Sequence, residues 1–126
     1  MKFLLDTHLL LWWLSNSPLL SAQARQLIGD PGNAIFVSAV SLWEVWLKSS
    51  IGKLRVPSGF AEKLAAEPFG NLPLRAEHTP VVAMLEWHHR DPFDRMLIAQ
   101  AGSENLVLLT ADRALGAYGR LVRVVG

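Results

Sequence analysis

Cysteine is absent from this 126-residue chain, which removes disulfides and thiolate metal sites at once and permits an intracellular home. Any metal must be held by oxygen or imidazole. No apolar run approaches the roughly 20 residues of a membrane-spanning helix. Charge is also sparse: 18% of residues are Asp, Glu, Lys or Arg, and the formal net charge is +1. A polyanionic partner therefore has to be gripped by local charge, not by the overall field. The chain has no repeat, low-complexity tract or linker. It also lacks an HExxH spacing, a GxxxxGK[ST] loop and a complete GxGxxG segment, so nothing points to a zincin or a nucleotide cofactor.

What is present is largely apolar: 51% of residues are hydrophobic, enough for a compact fold. At this length residues 1–126 read as one domain, burying roughly two-thirds of the unfolded surface. The first fourteen residues superficially resemble a secretory signal. Asp6 and His8 interrupt the apolar run, however, and no small-residue cleavage site follows, so the segment reads as folded structure.

Along the chain, strands and helices alternate. Lys2 to Leu5 reads as a strand, with Asp6 and Thr7 capping a helix over His8 to Leu14. Ser21 to Ile28 reads as a helix stopped by Gly29 to Gly32, and Ala34 to Val37 as a second strand. Ser41 and Glu44 match a capping box opening a helix toward Ile51. A short helix over Phe60 to Glu67 and a third strand over Leu72 to Arg75 follow, then a helix over His78 to Trp87. Asp91 before Pro92 is the preferred start of a helix running to Glu104. Leu106 to Leu109 is the clearest buried strand, followed by a helical turn over Ala114 to Tyr118 and a last strand over Leu121 to Val125. The alternation implies an α/β fold, a mainly parallel sheet covered by helices on both faces.

Four acids, Asp6, Glu44, Asp94 and Asp112, each follow an apolar stretch or begin a helical one. Singly, each has a plain structural explanation. Asp6 and Asp112 can cap helices, Glu44 can serve Ser41 or Lys48, and Asp94 can enrich a helix N-terminus. Jointly they point elsewhere, because a doubly wound sheet delivers strand ends and helix N-termini to one edge. Carboxylates crowded there repel unless a hard divalent cation, Mg2+ or Mn2+, neutralises them.

Arg95 and Arg113 directly follow two of these acids and read equally as phosphate-holding groups or as solvated surface. Lys48, Lys53, Arg55 and Arg90 extend that track. His88 and His89 lack ligand spacing and read as loop residues, and His8 as a helix-start residue. Of the five tryptophans most are expected in the core, with the consecutive pair Trp12 and Trp13 leaving one face for an interface.

The run Leu4, Leu5, Asp6, Thr7, His8, then Ser38 to Glu44, then Asp91 to Arg95 leading into Leu97 to Ala101, and finally Leu108 to Asp112, resembles the PIN-domain ribonucleases. Among these it is most similar to the VapC toxins of type II toxin–antitoxin modules. The resemblance spans nearly the whole chain. It implies a five-stranded parallel sheet in the order 3-2-1-4-5, with the switch point between the first and fourth strands. It also implies an acidic tetrad of Asp6, Glu44, Asp94 and Asp112 holding Mg2+ or Mn2+, with the Thr110 hydroxyl beside it. The expected activity is metal-dependent, cytoplasmic endoribonuclease cleavage by in-line attack of water. A homodimer and a cognate antitoxin are the partners the resemblance implies. Two alternatives stand beside it: a non-catalytic RNA- or protein-binding module on the same fold, and a nuclease directed at DNA. A phosphoryl-transfer receiver domain is disfavoured, because the chain lacks that domain's paired acids after the first strand and its Lys after the last.

Overall fold

The computed structural model describes residues 1–126. Its centre is β1 (Lys2–Leu5), whose Phe3, Leu4 and Leu5 have no exposed surface. Strands β2 (Ala34–Ser38), β3 (Gly70–Leu72), β4 (Val107–Thr110) and β5 (Val122–Val124) complete a five-stranded sheet in the order β3-β2-β1-β4-β5. Every pairing is parallel, with Leu4 opposite Phe36 on one side and Leu108 on the other. Burial on both faces explains why these strands read as continuous apolar runs and not as alternating ones.

Helices α1 (Thr7–Leu14), α2 (Ala22–Gly29), α3 (Ala39–Ser50), α4 (Phe60–Ala65), α5 (Thr79–Met84) and α6 (Pro92–Glu104) cover the sheet, with 3-10 turns at Ala76–His78 and Arg113–Leu121. The period of two along β1 divides the core. Phe3 and Leu5 pack with Leu9, Leu10 and Val45 on one face, while Leu4 packs with Leu97, Ile98 and Leu108 on the other. Sheet order reverses beside β1, so a crevice opens between the carboxyl ends of β1 and β4.

Caps fix the helix starts: Asp6, Ser21, Ser38 and Asp91 each accept a backbone N–H from the first turn of α1, α2, α3 and α6. The expected capping box at Ser41 and Glu44 is replaced by this arrangement. Helix α3 begins earlier, at Ala39, because the Ser38 hydroxyl at the end of β2 already accepts from Val40 N at 3.0 Å. Ser41 is left inside the helix, buried and without a hydrogen-bond partner.

The third strand is Gly70–Leu72, not Leu72 to Arg75. Pro73 has no N–H to extend the ladder. The expected helix over His78 to Trp87 is shorter as well: Leu85 turns extended, with φ −74° and ψ 140°. Trp43, Trp46 and Trp87 are 59%, 52% and 75% exposed rather than in the core. The inward side of α3 is taken by Val40, Ser41, Glu44 and Val45, so a period of 3.6 turns positions 43 and 46 outward.

Gly70 is set by close approach. A Cβ there would lie 2.6 Å from two ring carbons of Phe36 on the neighbouring strand. Gly70→Ala is expected to cost about 1–3 kcal/mol in urea unfolding, and less in a Phe36→Leu background. Equal costs in the two backgrounds would assign the effect to something other than this contact.

Candidate functional site

Asp6 prolongs β1 by donating its N–H to Leu109 O at 3.0 Å, which turns its side chain into the crevice. Oδ1 accepts from Leu9 N at 2.8 Å, and Oδ2 accepts from the Thr110 hydroxyl at 2.5 Å. The residue is only 4% exposed. Burial pushes its pKa up, against the opposing pull of the Thr110 and Leu9 hydrogen bonds.

Thr110, the last residue of β4, ties two acids together. While donating to Asp6, its hydroxyl oxygen accepts the N–H of Asp112 at 3.0 Å. Asp112 caps the following 3-10 turn, its Oδ1 accepting from Ala114 N, and is exposed.

Glu44 enters from α3 and is buried. Its Oε1 accepts from the Thr7 hydroxyl at 2.6 Å, and its Oε2 pairs with the Lys48 ammonium one turn on. That hydrogen bond holds the Lys48 pKa above its usual value, helped by the charges of Asp91 and Asp94. Lys48 therefore supplies a positive charge inside the acidic group.

Asp94 sits in the first turn of α6, its N–H donated to Asp91 Oδ1 at 2.9 Å. Asp91 is thus the cap and Asp94 the acid left free to face the crevice. Burial, then the charges of Asp91, Asp6 and Glu44, raise the Asp94 pKa to about 6, with His89 opposing. His89 Nε2 lies 3.1 Å from Asp94 Oδ2. Ligand atoms of His89, Asp94 and Asp112 all lie within 4.8 Å of one another. The loop reading of His89 holds for its place in the chain, but its imidazole returns to the acids, which no spacing in the sequence signals. Thr7 was likewise missed as the partner of Glu44.

These donors suit a hard divalent cation. They are carboxylate oxygens with one imidazole nitrogen at the rim. Burial, and after it neighbouring negative charge, raises the pKa of Asp6 and of Asp94, a penalty on the ionised forms that a cation relieves.

Arg95 is a correction. Expected to meet phosphate, it is 2% exposed and points away from the crevice. Nη1 donates to Glu86 O at 2.8 Å and Tyr118 Oη at 2.9 Å, and Nη2 to Val82 O at 3.0 Å and Leu85 O at 3.3 Å. Its role is to fasten the segment between α5 and α6. Arg113, beside Asp112, is exposed.

The sequence matches the PIN domain family over residues 3–121. The chain belongs to the PIN domain family. PIN domains are in general nucleases and typically use a divalent metal. No curated protein matches the sequence. Among solved structures, this PIN domain shares its fold with a chain of VapBC2 from Rickettsia felis bound to a promoter DNA fragment, at 17% identity, TM-score 0.73 and 98% coverage of both chains. VapBC-1 from nontypeable Haemophilus influenzae is similar at 17% identity and TM-score 0.64, again covering 98% of each. VapBC-5 from Mycobacterium tuberculosis is similar at 20% identity and TM-score 0.61, over 98% of this chain and 97% of that one. At such identities the likeness is one of fold.

Two predictions follow from the charges of this PIN domain. Asp94 binds its proton more tightly when folded, with a pKa of about 6, than at the ordinary 3.8. Stability in EDTA should therefore fall as pH rises between those values, by about 3 kcal/mol, with Asp6 acting in the same direction. Saturating MgCl2 should raise the melting temperature more at pH 7 than at pH 5, because the cation binds the ionised carboxylates. A magnesium shift that does not grow with pH would contradict this account. Second, Arg95→Met should cost about 3 kcal/mol in urea unfolding, since it strands buried carbonyls. Arg95→Lys should recover little, because one ammonium cannot span the four acceptors.

Proposed function

We propose that this PIN domain is a VapC-like toxin: a cytoplasmic endoribonuclease that hydrolyses RNA with Mg2+ or Mn2+ and is restrained by a cognate antitoxin. One observation carries the reading. Asp6, Glu44, Asp94 and Asp112 come from four elements remote in sequence, ligand atoms of Asp94 and Asp112 lie within 4.8 Å of each other and of His89, and Asp94 is buried beside the charges of Asp91, Asp6 and Glu44. A binding module has no use for that repulsion.

In this reading Asp6 and Asp94 would bind the metal, with Glu44 and Asp112 completing the acidic group around it. A divalent cation bound there polarises the phosphate and lowers the pKa of the attacking water. Thr110 and Leu9 fix the Asp6 carboxylate, so its free lone pairs face the crevice without reorganisation. Asp112, with only Oδ1 committed to Ala114, has Oδ2 free to orient the incoming water and accept its proton. Arg113 meets the phosphate on the open side.

Purified protein with MgCl2 is expected to cut structured RNA and to stop in EDTA. Asp6→Asn and Asp94→Asn should each lower the rate at least ~100-fold. Variants that cut as fast as the parent would end the proposal, and equal cleavage of matched DNA would end its assignment to RNA.

A further inference from the structure

Next to the acids lies a cavity of about 280 Å3 that the hydrolytic reading leaves unused. Trp43, Phe93 and Trp87 supply its aromatic walls, and the exposed cation Arg90 stands at its rim. Trp43 meets Phe93 edge-on, with ring centroids 5.0 Å apart, and keeps 59% of its surface open.

Trp87 is the telling residue. At 75% exposure it is expected to be mobile, yet one face lies 3.9 Å from the guanidinium of Arg95. That guanidinium is fixed by its four hydrogen bonds. A buried cation thus holds a large indole out toward solvent with its other face free. Core packing does not call for such an arrangement.

Phe93 links the cavity to the acids. Phe93 directly precedes Asp94 in the first turn of α6, and the Lys48 ammonium that pairs with Glu44 also lies 5.5 Å from the centre of the Phe93 ring. A phosphate held at Asp94 has its neighbouring nucleoside within reach of these rings. Flat aromatic walls, a rim cation for the adjoining phosphate and space sufficient for a planar ring system match an unpaired base and not a helix.

We propose that this cavity is a nucleobase subsite, which takes one unpaired base beside the scissile phosphate by stacking on Trp87 and Trp43. The inference rests on the ribonuclease reading above and deepens it: the substrate is cut where the strand is single and a base is free to leave its stack.

The test is binding of a single-stranded RNA to the full chain in Ca2+, repeated with abasic nucleotides placed one position at a time. One abasic position should weaken binding about tenfold, and Trp87→Ala should weaken the intact RNA by a similar factor. The two losses should not add when combined. Trp87→Phe should keep most of the affinity, and Trp46→Ala, outside the cavity, all of it. Additive losses, or parental affinity in both Trp87→Ala and Trp43→Ala, would overturn the subsite even if the parent cuts RNA with MgCl2. A Trp87→Ala loss that no abasic position reproduces would also overturn it, and would give the cavity to a protein side chain instead. A parent that neither binds nor cuts RNA would defeat the ribonuclease reading itself.

Discussion

Burying the carboxylate of Asp6 at the end of the central strand is the constraint around which this domain is arranged. The hydroxyl of Thr110 and the first turn of α1 satisfy its two oxygens, but hydrogen bonds do not dispose of its charge. Glu44 and Asp94 add to that charge, and Lys48 offsets part of it. A domain that keeps these acids together when hydrophobic packing would be cheaper is poised for a cation, and the PIN family is one that typically uses a metal.

Helix α6 carries much of the remaining work through its two ends and its buried side. Asp91 caps its start and thereby frees Asp94. Its inward Gln100 accepts from the Ser38 hydroxyl and donates to Pro73 O, joining the ends of β2 and β3 to the helix. Arg95, from the same helix, gathers the carbonyls that close α5. Helix α6 therefore holds one side of both the crevice and the aromatic cavity beside it, and through Arg95 it fastens the segment that carries Trp87.

Legibility in the sequence followed local physics. Asp6 and Asp91 were readable as caps because a cap depends on a side chain and the two or three residues after it. The true start of α3 was hidden, since Ser38 and Ser41 are both plausible caps and only the end of β2 chooses between them. Arg95 looked like a phosphate ligand because an arginine after an acid reads the same whether it turns outward or inward. His89 looked idle because its nearest acid is reached by a loop that folds back.

By itself, the sequence determined the alternation of strands and helices, the apolar strands and most helix starts, because propensity, capping and hydrophobic pattern act within a turn or two. The tertiary structure alone decided which groups meet: Thr110 with Asp6, Thr7 with Glu44, His89 with Asp94, and Arg95 under Trp87. Those contacts join residues from different elements, and their geometry follows from the order and twist of the sheet, which no local stretch of sequence encodes.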